Sequence, residues 1–483
     1  MQILSLLLIS MLSAQDTAEP ASDLESDSAA NAQENTQPTA STIMSRPNSY
    51  PAYTSVAPVD SDTEFFFGDW PWGSDGITGD WGGVRTDLID KGIYLNGEYT
   101  SLLLDNFTGG AEQAFYGAGI AQLALTIDTE RLAGLEGGTF FLAYGYANWY
   151  NRMFESTGTF SPTGSGVGSD VNFLYSDQST LNQINQLFWR QELFDDKLQI
   201  TFGKIDANVE FGNLAAVDSF QYVSSAAPPS MLMFLPTYPN ASTGLEIALQ
   251  LNDQLTGKFG WWDGTTYALD PKTGEVGPRT GDRGPKSFFN NDGHWFLVTE
   301  WDYSWQLDQL RPGSLAAGAW LQTGRSTTAG NSTTGVNDVP GFYIGGQQTI
   351  WAPSGTIAQD GGGITAFAQV GWSPPSKNPY EFSIIGGFSA TGVIPGRPAD
   401  ALGIMGSGTF FSDNAAIYQS ITGNGQPGPP GGNEAALEVY YKVQLAPAFS
   451  IQPGIEWITT PSGGDPAPLD DAVVGYLIVN VQF

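Results

Sequence analysis

The sequence predicts an all-β fold, a transmembrane antiparallel β-barrel, and three observations carry that prediction. The last eleven residues, Val473 to Phe483, alternate like a strand, hold no charge and stop on an aromatic side chain. Val473, Gly475, Leu477, Val479, Val481 and Phe483 make one wholly non-polar face, while the other face ends in Asn480 and Gln482. A strand between lipid and a watery lumen requires that division. Charged residues are only 14% of the 483, against about 25% in an ordinary soluble chain. Gly (60 residues) and aromatics (13%) are abundant, as Gly-rich turns and interfacial aromatic girdles would make them.

From the N-terminus, Ile3 to Leu12 is the only concentrated apolar run, and it is too short for a membrane helix. It resembles a signal-peptide core, so residues 1–14 are expected to be a signal peptide cleaved near 14–15. Residues 15–62 are rich in Ser, Ala, Pro, Gln and acids, with Arg46 the only base. Such a stretch cannot bury enough apolar surface to offset ordering entropy, which predicts a disordered acidic tail. Residues 63–483 are left for the barrel.

Within that region, period-two strands follow one another. Ala121, Leu123, Leu125 and Ile127 oppose Gln122, Ala124, Thr126 and Asp128. Leu245, Ile247, Leu249 and Leu251 oppose Glu246, Ala248 and Gln250. Leu437, Val439, Tyr441, Val443 and Leu445 oppose Glu438, Tyr440, Lys442 and Gln444. Ile451, Pro453, Ile455 and Trp457 oppose Ser450, Gln452, Gly454 and Glu456. No stretch of ten or more residues shows a capped 3.6-residue stripe. Residues 77–483, at roughly 22–26 residues per strand and connection, give 16 strands with 18 possible, and single-chain barrels favour even counts. Short turns at 194–197, 252–255 and 446–448 alternate with longer polar stretches near 155–170, 265–292, 325–340 and 412–433. That predicts short periplasmic turns and long extracellular loops.

Charge and cysteine content narrow the function. The formal net charge is −32, and beyond residue 64 the chain still holds 41 acids against 17 bases. Nucleic-acid binding, which needs a basic footprint, is excluded. The acidity reads either as solvated acidic loops or as a pore favouring cations and neutral solutes. With no Cys and a single His294, neither thiolate chemistry nor a zinc site is expected, and no cofactor is implied. His294 reads as an ordinary interfacial residue.

Several blocks together resemble the carbohydrate-selective porins, the OprB-like family. Near the start stand I-T-G-D-W-G-G-V-R-T-D-L-I-D-K-G-I (77–93) and Y-L-N-G-E-Y-T-S-L-L-L-D-N-F-T-G-G (94–110). Midway, Q-L-F-W-R-Q-E-L-F-D-D-K-L-Q-I-T-F-G-K-I-D-A-N-V-E-F (186–211) reads as two strands around an acidic turn, followed by L-P-T-Y-P-N-A-S-T-G-L-E-I (235–247). Later come G-V-I-P-G-R-P-A-D-A-L-G-I (392–404) and the hairpin at 435–458. The resemblance implies a 16-stranded barrel with an inward-folded constriction, passing sugars down their gradient. It also implies that the assembly machinery reads the terminal Phe483. The acidic tail is not part of the family pattern.

Seven residues stand out as pore-lining candidates: Arg190, Glu192, Lys204, Asp206, Glu210, Arg397 and Asp400. Arg190 and Glu192 share a strand face with Gln186, which suggests an Arg–Glu pair in the lumen or an ion pair bracing the wall. Lys204, Asp206 and Glu210 lie where the chain leaves its strand, suiting a pore-side or loop-anchoring role. Arg397 and Asp400 occupy a rigid turn, where an Arg fixed to a carboxylate is expected ahead of solute contact. Arg85 reads as a plug or rim residue. Trp261, Trp262, Tyr440, Tyr441, Trp457 and Tyr476 are expected in the interfacial girdle. Asp195-Asp196 and Asp470-Asp471 sit in turns, where acids are common without catalysis.

The leading expectation is an outer-membrane porin for sugars and other small hydrophilic solutes. Its partners are small neutral sugars, outer-membrane lipid and the assembly machinery, with a possible homo-oligomer. A general or cation-preferring pore is the alternative. A secreted all-β carbohydrate-binding protein or glycoside hydrolase is the reading from another class.

Overall fold

A computed structural model describes residues 76–483, apart from 114, 152–166, 168, 170–181, 238–240, 266–283, 292, 309, 328–334, 354–361, 415–416, 418–430 and 462–468. The expected signal peptide (1–14) and tail (15–62) lie outside the described residues, as does most of the stretch 155–170.

Sixteen antiparallel strands, each paired with its neighbours in sequence, close on themselves. They run β1 (Ile93–Thr108), β2 (Phe115–Asp128), β3 (Gly138–Asn151), β4 (Asn182–Leu193), β5 (Leu198–Ile205) and β6 (Ser242–Gln250). Then follow β7 (Leu255–Asp263), β8 (Trp295–Gln306), β9 (Pro312–Thr327), β10 (Gly335–Trp351) and β11 (Gly363–Trp372). The last five are β12 (Tyr380–Thr391), β13 (Ala401–Phe411), β14 (Asn433–Ala446), β15 (Phe449–Thr459) and β16 (Ala472–Gln482). The count settles at 16. Closure joins β16 to β1, with Asn480 opposite Thr100 and Leu477 opposite Leu103, so no strand edge is left open to lipid.

The period-two pattern sorts residues as expected. Leu123, Ile344, Leu437 and Ile455 are exposed on the outside, whereas Thr126, Tyr343, Glu438 and Glu456 are buried on the inside. On β16, Val474, Tyr476, Ile478 and Asn480 point inward. The longest connections, 152–181, 206–241, 264–294 and 412–432, all leave from the rim opposite Phe483, the extracellular end of an outer-membrane barrel. The Phe483 rim has mostly short turns, but its connection 352–362 is longer than 109–114, 328–334 and 373–379 opposite. The predicted loop at 325–340 is shorter than expected. Strands β9 and β10 pair out to Thr327 and Gly335 despite the Gly and Ser content, because the ladder satisfies backbone groups that would otherwise be bare.

Many glycines serve the wall more than the turns. A Cβ at Gly454 would lie 2.1 Å from the Tyr476 ring, and one at Gly318 would lie 2.2 Å from the Tyr343 ring. Large inward aromatics therefore lie flat over a glycine on the next strand.

The N-terminal block fastens the seam. Ile77 donates its N–H to the Gln482 carbonyl at 2.9 Å. A short helix, Val84–Asp90, places Arg85 so that its guanidinium donates to the Phe483 carbonyl oxygen at 3.1 Å. Arg85 also sits over the Trp81 ring, 5.5 Å from its centre. Asp80 accepts the Thr86 N–H at 2.9 Å and the Thr86 hydroxyl at 2.8 Å. Those bonds hold the Asp80 carboxyl below its ordinary range.

Candidate functional site: a segment folded across the lumen

The connection from β5 to β6, residues 206–241, is the longest apolar excursion in the described chain. Val209, Phe211, Leu214, Val217, Phe220, Tyr222, Met231, Leu232, Phe234 and Leu235 are all buried. Outside the barrel they would face water or lipid headgroups; inside, they pack on inward wall residues such as Trp262, Phe296, Trp320 and Tyr440. Phe211 meets Trp262 edge-on at 5.6 Å, and Phe220 meets Tyr440 at 4.9 Å. Apolar content without alternation over 206–241 is the sequence feature that could have marked this insertion, which only the family resemblance implies.

Polar latches hold the segment to the wall around the lumen, from β8 near its start to β14 and β15 on the far side. The Glu438 carboxylate on β14 accepts the N–H groups of Gln221 (2.7 Å) and Tyr222 (2.9 Å), and the Tyr476 hydroxyl at 2.7 Å. Glu300 on β8 accepts the Gly212 N–H at 2.9 Å and the Tyr343 hydroxyl at 2.6 Å. Gln347 accepts from the Ala216 N–H at 2.9 Å. Gln369 donates to the Gly212 carbonyl at 2.9 Å, and Gln452 to the Ser219 carbonyl at 2.7 Å. The Tyr222 hydroxyl donates to Glu434 at 2.5 Å. Because β14 is eight strands from β6 in a ring of sixteen, the segment crosses the lumen from one side to the other.

A charged cluster sits where the segment begins. Arg190 donates to Glu210 at 3.1 Å and to the Thr201 hydroxyl at 3.1 Å. Lys258 on β7 pairs with Glu300 (3.1 Å) and Asp302 (2.6 Å) and donates to the Glu210 carbonyl at 3.0 Å. Glu246 faces the same cluster, and both its carboxylate oxygens are buried without a hydrogen-bond partner. With Gln199, Thr201, Glu210 and Lys258 it lines a small cavity between wall and segment.

The seven candidate residues divide. Arg190 forms its inward ion pair with Glu210, not with its strand neighbour Glu192. Residues two apart on a strand are about 7 Å apart, and the inserted segment brings Glu210 closer. Glu192 instead accepts from Gln199 at 3.1 Å. Asp206 is buried and caps the first turn of the segment through the Asn208 N–H at 3.0 Å. Lys204 is not on the pore side: its register partner is the exposed Leu187, and it donates outward to the Ile184 carbonyl at 2.7 Å. Arg397 and Asp400 form a two-point ion pair at 2.8 and 2.7 Å. Asp400 also accepts the Tyr441 hydroxyl and the Gln444 N–H (3.0 Å), so this pair braces the short-turn rim. The Asp400 carboxylate correspondingly raises the Arg397 guanidinium above its ordinary value.

The aromatic girdle also needs correction. Trp262, Tyr440 and Tyr476 are buried inside, because their positions fall on the lumen face of the alternation. Trp457 is exposed on the outside, and Trp261 packs there against Trp295 and Phe288. His294 lies on the far rim, with its ring nitrogens 2.9 Å from the Asn291 carbonyl and 3.0 Å from the Arg325 carbonyl. Among the described residues no helix is long and apolar enough to cross a membrane, which says nothing of spanning by strands.

Comparison with known proteins agrees with this architecture. Porin B of Pseudomonas aeruginosa is 21% identical over 435 residues, covering 84% of this chain and 91% of that protein. The high-pH structure of Pseudomonas putida OprB superimposes with a TM-score of 0.69 at 19% identity, covering 84% of this chain and 98% of the other. The low-pH structure of the same protein gives 0.51 at 17% identity, with the same coverage. The model of the carbohydrate-selective porin, OprB family matches residues 112–483. A closed sixteen-stranded barrel with an apolar exterior and a segment folded across its lumen, matched over that span, makes this chain a member of the OprB carbohydrate-selective porin family and an integral protein of the outer membrane.

Proposed function

We propose that the protein is a passive outer-membrane channel for small neutral sugars and similar hydrophilic solutes, working without cofactor or chemistry. The observation that carries this reading is the segment 206–241, which narrows the lumen while wall carboxylates and tyrosines hold it in place. Sugars are neutral polyols, recognised by paired carboxylate, amide and guanidinium groups with aromatic faces nearby. Such contacts must stay weak and repeated, or solute would not leave. Arg190, Glu192, Asp206 and Glu210 are the candidates for the narrow region; Arg397 and Asp400 are assigned to bracing.

One observation favours a cation preference alongside sugar passage. The inward acids Glu98, Glu246, Glu300, Asp302, Glu434, Glu438 and Glu456 outnumber the inward bases Arg190, Lys258 and Lys442. An acidic lumen of this kind raises the local concentration of cations and repels anions. Residues 1–14 fit an export signal and 15–62 an acidic tail, with Phe483 offered to the assembly machinery and either a monomer or a trimer as the working form.

The test is reconstitution into a planar bilayer. Open channels whose ionic current falls on addition of glucose are expected. A detergent-free soluble protein that forms no channels overturns the reading. Strongly cation-selective channels indifferent to sugar would leave only the cation-preferring pore.

A further inference from the structure

Between the inserted segment and the rim that holds Phe483 lies a set of polar groups with unspent hydrogen-bonding capacity. Glu98 on β1 is opposite Gln122 on β2 and Gln482 on β16, close to the end of the chain. One Glu98 oxygen accepts from Asn480; the other, Oε2, is buried with no partner. Gln122 Oε1 is likewise buried and unpartnered. Both side chains are more than nine-tenths buried, and the strand alternation turns both inward. Across from them, Phe220 packs on Tyr440; Asp218 lies two residues before Phe220, and the charge of Lys442, the next inward residue of β14, acts on it. Asp218 Oδ1 is buried without a partner. The half-buried Lys442 ammonium makes no hydrogen bond or ion pair to a described residue, and the charges of both Glu98 and Asp218 act on it.

The chemistry of that set selects its ligand. Three acceptor oxygens need donors, and one ammonium needs an acceptor. A free anion would meet two carboxylates, and a bare cation would meet Lys442. A molecule that carries donors and acceptors side by side, with no net charge, satisfies all of them: a polyol with three neighbouring hydroxyls, each donating to one acceptor oxygen while one accepts from the ammonium. We propose that Glu98, Gln122, Asp218 and Lys442 form a polyol-binding station on the short-turn side of the inserted segment, where a neutral sugar is held after passing it. The station rests on the channel reading of the preceding subsection. Its use is kinetic, since a second weak site shortens the step between the narrow region and free solution.

The experiment uses the full chain in a planar bilayer, with D-glucose added to one side at a time and current fluctuations giving on- and off-rates. In the wild type, glucose added on the Phe483 side binds, and D-glucuronate binds there at least fivefold more weakly. Glu98→Gln and Lys442→Met each weaken glucose binding from that side by about fivefold or more, and change its on-rate from the opposite side by less than twofold. Glu98→Gln also narrows the gap between glucose and glucuronate. Folding is checked by resistance of the unheated barrel to SDS, and Gln122→Leu stands in for any variant that fails that check. Variants whose sugar kinetics match the wild type from both sides mean that only water fills the set, and the station is overturned. Glucuronate binding as tightly as glucose overturns it as well. A wild-type channel that glucose never blocks sinks the channel reading itself, a different result from a blocked wild type with unaffected variants.

Discussion

Glu438, on the wall of the barrel, accepts the main-chain N–H of Tyr222 at 2.9 Å from a segment that set out from the opposite wall. The same carboxylate takes the Gln221 N–H and the Tyr476 hydroxyl, so one side chain joins three donors. Replacing it by Gln turns one acceptor oxygen into an NH2 that faces backbone donors. Leaving a buried donor unsatisfied costs about 1–3 kcal/mol, borne locally by the latch. Single-channel recordings of Glu438→Gln should show larger and noisier open states than wild type, with the barrel still SDS-resistant. Unchanged conductance would mean that the latch does not define the narrow region.

Lys258 touches Glu300, Asp302 and the Glu210 carbonyl. Its replacement by Met leaves two carboxylates without their cation, and breaking a buried pair from one side costs about 3–5 kcal/mol. Urea unfolding in detergent, followed by the shift in gel mobility, should place Lys258→Met well below wild type. The triple variant Lys258→Met, Glu300→Gln, Asp302→Asn should recover part of the loss.

A glycine under an aromatic is a spacer. Gly454→Ala puts a methyl within 2.1 Å of the Tyr476 ring, which must then swing into the lumen and off Glu438. Overpacking of this kind costs about 1–3 kcal/mol. Reduced conductance is the expected signature, and Gly454→Ala with Tyr476→Ala should restore it.

Ile344 is exposed on the outer face near the middle of β10, with Ala317 and Val370 beside it. Arg at this position should destabilise the barrel in lipid by about 2–4 kcal/mol if it lies at the bilayer midplane. Equilibrium folding into vesicles measures this. A neutral outcome would place the lipid belt elsewhere.

Acid should loosen the seam. Thr86 holds the Asp80 carboxyl below its ordinary value, so its bonds add stability above the unfolded-state pKa, and that contribution is lost as pH falls through the lowered one. Hydrogen exchange of residues 84–90, corrected for intrinsic rate, should rise at acid pH in wild type. In Asp80→Asn it should be fast at every pH.

Strands were readable from sequence because each needs only its own alternation, and that pattern survives whatever pairs beside it. Phe483, Glu246 and Glu438 could be put on the correct face from eleven-residue windows alone. What could not be read depends on contacts across the lumen. Arg190 was matched to Glu192 because they are close in sequence, but the inserted segment delivers Glu210 from 20 residues away. Lys204 was misplaced because the end of its strand could not be located from a Gly-Lys-x-Asp block. Trp262, Tyr440 and Tyr476 were assigned to the girdle by residue type, although their parity already put them inside.

The latch on the crossing segment uses peptide N–H groups on one side and wall carboxylates or amides on the other. Every residue except Pro supplies the same N–H. Positions 216 and 221 can therefore change identity without changing what fastens them, provided the backbone path is kept, whereas Glu300, Gln347 and Glu438 cannot. Tyr222, whose hydroxyl reaches Glu434, and Gly212, at φ 70°, are held by more than their N–H. Selectivity and attachment are thus written in different residues: the side of the segment that meets solute is free to be re-lettered, and the wall keeps the lock.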